Sequence, residues 1–166
     1  ADVLLDSTTT DSDILNATVT SSTVDARIQN IETINVTGEY VTTGLKLTNV
    51  SGTKTLNLDT KLAGGTAKVT DANSINAAAI KAGANISTLN VKSLTSGTRD
   101  TVTVDAGSAS TLNLTGQAAG ADSYNATVAA NSAVTLTTLD SAGDNVTLNV
   151  AGDIDLTSAN GAELDI

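Results

Sequence analysis

Two pairs of aspartates, Asp11/Asp13 and Asp153/Asp155, are spaced i, i+2. On a β-strand that spacing puts both side chains on one face, where two carboxylates bind a hard cation or divide general-acid and general-base roles. The neighbouring letters supply more oxygen. "DSTTTDSD" at Asp6–Asp13 surrounds the first pair with hydroxyls, and "LDSAGDN" at Leu139–Asn145 sets Asp140 and Asp144 about a small-residue turn. Asp122 stands in "GAD" and the second pair in "GDID". Calcium gathers several such oxygens, so it is the expected cofactor. The candidate ligands are Asp11, Asp13, Asp122, Asp140, Asp144, Asp153 and Asp155. The competing role of any single aspartate is to cap its own turn by hydrogen-bonding the backbone.

Catalysis has little to draw on. The chain contains no His and no Cys, which closes off the triad, thiol and imidazole-metal chemistries. Cleavage of polysaccharide would need paired carboxylates with a cationic clamp, and Arg27 and Arg99 are the only arginines. Sugar rings also favour aromatic platforms, and Tyr40 and Tyr124 are the only aromatics. No enzyme is expected, and a carbohydrate-binding or carbohydrate-cleaving β-helix is kept as an alternative.

Charge is unevenly spread. All eight basic residues lie in the first 99 positions beside nine acidic ones, a net of −1. From Asp100 onward there are nine acidic residues and no basic one, a net of −9. Such a field repels duplexes and anionic bilayers, which argues against nucleic acid or lipid headgroups as partners. No apolar run approaches a membrane span, so no membrane insertion is expected. The opening at Ala1 and the closing "AELDI" suggest that residues 1–166 are a single segment of a longer protein.

The elements that must carry these residues are written repetitively. "TLNL" occurs at Thr55–Leu58 and Thr111–Leu114, "TLNV" at Thr88–Val91 and "VTLNV" at Val146–Val150. Apolar and polar letters alternate in each, the period of a half-buried strand. The strands recur about every 11 residues and pair into units of about 22, with Gly-centred turns between them. With no Phe, Trp or Met to fill a wide gap, the interior must be narrow and aliphatic. Both features favour an all-β parallel β-helix, or β-solenoid, with coils of about 22 residues. An antiparallel β-sandwich, such as an Ig-like adhesion module, is the alternative. In the solenoid, Leu56, Leu89, Leu112 and Leu148 point inward on equivalent faces of stacked strands. The Asn of each "INV", "LNL" and "LNV" then falls at a matching position, where amide ladders form between coils. Seven Asn-x-Ser/Thr triplets occur, beginning at Asn16, Asn35, Asn49, Asn85, Asn113, Asn125 and Asn145. No glycan is assigned to them, because several sit on strands whose Asn is expected to stack.

The run Asp13–Gly38, "DILNATVTSSTVDARIQNIETINVTG", resembles repeats of bacterial surface-layer proteins and of large secreted calcium-binding proteins of the RTX type. In those repeats a "D-x-L-N-A-T" strand is followed by "N-I-E-T-I-N-V-T". The resemblance implies a secreted segment at the bacterial cell surface that assembles into a lattice or forms an adhesin-like stalk. Its partners would be copies of itself, neighbouring segments of the same protein, or cell-surface polysaccharide. The glycine-rich nonapeptide "G-G-x-G-x-D" of the calcium-binding β-roll is absent. Any metal would therefore sit at irregular turns.

Overall fold

The computed structural model describes residues 3–8, 10–72, 79–92, 101–116, 123–129, 132–137 and 145–151. The strands run β1 (Val3–Leu5), β2 (Ile14–Val19), β3 (Val24–Asp25), β4 (Arg27–Gln29), β5 (Thr33–Gly38), β6 (Thr42–Lys46), β7 (Val50–Ser51) and β8 (Thr55–Thr60). They continue as β9 (Gly65–Thr70), β10 (Ala79–Ala82), β11 (Ile86–Lys92), β12 (Thr101–Asp105), β13 (Thr111–Thr115), β14 (Ser123–Val128), β15 (Ala133–Thr137) and β16 (Asn145–Val150). No helix among the described residues is long and apolar enough to cross a membrane.

Among the described residues every strand pairing is parallel, and each strand lies on its counterpart one coil away. Sheet A has the order β1-β4-β7. Sheet B has β16-β14-β12-β10-β8-β5-β2, and sheet C has β15-β13-β11-β9-β6-β3. Pairings such as Thr33↔Thr55 and Thr101↔Ser123 step by one full sequence repeat, so one coil takes one repeat. The molecule is a β-solenoid, and the sandwich alternative is excluded by the parallel pairing.

The inward letters of each word form columns. On sheet B, Leu15, Ile34, Leu56, Ile80, Val104, Ala126 and Leu148 follow one another across seven strands. On sheet C, Val24, Leu45, Val69, Val91, Leu114 and Leu136 do the same. The central members of both columns are fully buried. The one large ring in the core is Tyr124, whose hydroxyl donates to the Thr115 carbonyl oxygen at 3.1 Å. A buried phenol keeps its burial favourable only with such a partner.

One expectation is corrected here. Leu56, Leu89 and Leu112 are fully buried as expected, but they do not share a face. Leu56 belongs to sheet B, and Leu89 and Leu112 to sheet C. The shorter unit of the repeat is half a coil. Leu89 follows Leu56 by an odd number of such units, which carries the same word to the other sheet. Leu148, back on sheet B, is only half-buried against the core.

Corners are set by local backbone chemistry. Asn30 and Gly52 occupy successive coils at one corner, and both take the left-handed conformation, with φ of 58° and 80°. Asn tolerates that region and Gly adopts it freely. Gly44, within β6, is required for a different reason. A Cβ there would stand 2.7 Å from the Lys68 carbonyl oxygen and 3.0 Å from that of Ser22.

Candidate metal centre

The connection from β1 to β2 brings Asp6, Asp11 and Asp13 together. One carboxylate oxygen from each lies within 4.8 Å of the others. The i, i+2 spacing predicts one strand face for Asp11 and Asp13, but neither residue lies on a strand. Asp11 is an exposed bend residue, and Asp13 immediately precedes β2. The pair converges because the turn folds back, which brings in Asp6 from the end of β1 as the third carboxylate.

Each member is held differently. Asp6 accepts hydrogen bonds at Oδ2 from the Thr8 amide (2.6 Å) and the Thr8 hydroxyl (2.8 Å). Those bonds, led by the amide, keep its carboxyl below the usual carboxylate range. The Asp6 backbone is tied in as well, since its carbonyl oxygen accepts the Asn30 side-chain amide at 3.0 Å. Asp13 has the opposite balance. Desolvation, and then the charges of Asp11, Asp6 and Glu32, push its carboxyl above the usual range.

Glu32 is the residue the sequence reading missed. The residue is only 5% exposed, and its Oε2 accepts the Asp13 amide at 3.0 Å. Its Oε1 is buried with no hydrogen-bond partner among the described residues. Three carboxylates and this half-satisfied fourth form a concentration of negative charge with oxygen donors only. Hard divalent cations suit that donor set, and softer thiolate- or imidazole-seeking metals do not. The other candidate ligands, Asp122, Asp140, Asp144, Asp153 and Asp155, lie outside the described residues.

The outer face of sheet B carries a polar column. The Asn35 side-chain amide donates to Asn16 Oδ1, and that of Asn57 donates to Asn35 Oδ1, both at 2.7 Å. Sheet C repeats the device, where Asn113 donates to Asn90 Oδ1 at 2.8 Å. The amide ladder expected from the repeated letters is therefore present. It engages the amides of three triplet asparagines, Asn16, Asn35 and Asn113. Asn35→Leu removes both rungs at once and should cost about 1–3 kcal/mol, at roughly 1 kcal/mol per bond. Urea midpoints of this variant and of Asn125→Leu, an exposed asparagine, provide the check.

Beside the ladder lies a shallow depression of about 330 Å³, lined in part by Asn57, Asp59, Lys81 and Asp105. Asp59 is occupied there, because its Oδ1 accepts the amides of Thr60 (2.8 Å) and Asn85 (3.1 Å). Arg27 does not face this depression. It sits on sheet A, where its guanidinium donates to Gln29 Oε1. Arg99 lies outside the described residues.

No protein-family model matches the chain, and no curated protein and no solved structure is significantly similar to it.

Proposed function

We propose that the chain is a structural segment of a bacterial surface-layer or adhesin-like protein, secreted to the cell surface and stiffened by calcium. The observation that supports this reading is where the side-chain hydrogen bonds go. In the described coils they run mainly from one coil to the next or close turns, through amide ladders, Thr- and Ser-hydroxyl-to-carbonyl bonds and Asp caps. Such a molecule has its chemistry in length, surface and assembly. Calcium at Asp6, Asp11 and Asp13 fits the reading, because it would lock the first coil's turn against the second coil at Glu32. The partners in this reading are further copies or neighbouring segments of the same protein.

A second reading, binding of cell-surface polysaccharide, draws on the depression between Asn57, Lys81 and Asp105, whose amide, ammonium and carboxylate offer both donors and acceptors to sugar hydroxyls. The structural reading is preferred because no exposed aromatic lines that depression among the described residues.

The test is assembly and place. The purified chain in millimolar calcium is expected to form ordered sheets or filaments visible by negative-stain electron microscopy, and chelator should disperse them. Antibody raised against the chain should label intact cells. A chain that stays dispersed in calcium, with labelling only after permeabilisation, rejects the proposal.

A further inference from the structure

The outer face of sheet C is a basic surface. Lys46, Lys68 and Lys92 extend from β6, β9 and β11, three consecutive strands of that sheet. In register, Lys46 and Lys92 flank Thr70 in one column, and Lys68 lies between Gly44 and Asn90 in the next. At the spacing of β-strands the three lysines arise within about 10 Å of one another. Lys68 and Lys92 are exposed and have no ion-pair partner among the described residues. Asp25, on edge strand β3, pairs with Lys46 at 3.3 Å and is the only acid on this face among the described residues. The other outward residues of the sheet are mostly Thr and Asn, whose side chains are shorter than those of the lysines.

The opposite charge is present in the same chain, in the −9 segment from Asp100 onward, whose acids other than Asp105 lie outside the described residues. A net charge of −10 repels copies of this chain at long range, so association requires that unlike regions meet. We propose that the sheet C lysine face docks against the acidic second half of another copy, giving a staggered lateral contact between solenoids. The contact is heterologous, joining the lysine face of one copy to a different region of the next, so successive copies build a ring or an open array. Five strands of sheet C span only about 400 Å² per copy, roughly half of what a stable standard interface buries. A single contact is therefore weak, and many in an array act together. The inference rests on the lattice reading for its setting and names the surface through which such an array would be held laterally.

Sedimentation velocity of the full chain, in chelator so that no cation bridges carboxylates, tests the contact. At about 20 mM NaCl the weight-average mass should rise with protein concentration, and at about 200 mM it should return towards monomer. Replacing Lys46, Lys68 and Lys92 together with Gln should weaken association about tenfold or more, by loss of the complementary charge. The control replaces Lys54, Lys61 and Lys81 with Gln, an equal change in net charge away from sheet C, and should shift it less than about threefold. Replacing the sheet C lysines with Arg should retain association, and circular dichroism should show all three triples folded.

No association at low salt, equal weakening by both Gln triples, or indifference to salt would each overturn the proposal. So would capture of polygalacturonate by the lysine face without self-association, which would assign it to an anionic polymer. Ordered arrays that form unchanged in the sheet C Gln triple reject this surface and leave the structural reading standing. Salt-sensitive association without ordered arrays does the reverse.

Discussion

Leu112→Asp should divide the solenoid into two folding units, with the carboxyl-terminal one lost. Leu112 is fully buried on β13, in register with Leu89 on one side and Val134 on the other. An unpaired carboxylate in that aliphatic column costs several kcal/mol, because its register neighbours Leu89 and Val134 offer neither cation nor donor. Leu112→Ala, which leaves only a void, should cost about 2–5 kcal/mol. Thr135→Asp, on the exposed face of the neighbouring strand, should change stability by less than about 0.5 kcal/mol. In a solenoid each coil is stabilised by its neighbours, so damage at one rung is felt mainly by the coils that rest on it. Amide hydrogen exchange of Leu112→Asp should therefore show β13 and β15 unprotected while β5 and β8 stay protected. A variant as stable as the parent would mean that Leu112 is not inside.

The same columns explain what could be read from the letters and what could not. Alternation within "TLNL" and its relatives gave the strands, and their matched Asn residues gave the ladders, because both depend on residues adjacent along a strand or one coil apart. The face shared by Leu56 and Leu89 was misjudged because alternation is identical on sheets B and C. Only the count of half-coils separates them. Sheet A is harder still, since β4 and β7 have three and two residues, too few for a period to appear. Glu32 was missed for a metric reason. A full repeat would place Asp13 beside Asn35, but the first register step, Ile14↔Thr33, is shorter than a repeat and brings Glu32 alongside instead. The Asp11/Asp13 pair was assigned to a strand because the spacing fits one, and the turn between β1 and β2 gathers it by a different route.

That turn carries the last prediction. Chelation should lower the melting temperature of the chain, and calcium should restore it where sodium at equal ionic strength does not. Binding to the folded form alone stabilises it by RT ln(1 + [L]/Kd), about 2.7 kcal/mol at a hundredfold excess over Kd. Screening alone gives a different pattern, in which matched sodium serves as well. The variant Asp13→Asn separates the two through a change of sign. The Asp13 carboxyl is held above its usual range in the folded chain, so the folded state favours its protonated form. The stability linked to this group is present below the ordinary carboxylate pKa and is lost as pH rises through the raised, folded-state value. At neutral pH the charge of Asp13 therefore opposes folding until a cation neutralises it. In chelator, Asp13→Asn should melt no lower than the parent and somewhat higher. In millimolar calcium the order should reverse, because the parent gains a ligand that the variant lacks. Asp6→Asn should be destabilising in both conditions, since hydrogen bonds from Thr8 favour its charged form and that stability is fully present only above the ordinary pKa. Equal melting temperatures of the parent in chelator and calcium, with no reversal at Asp13, would leave these aspartates as turn formers. The solenoid would stand unchanged, and the calcium reading would be withdrawn.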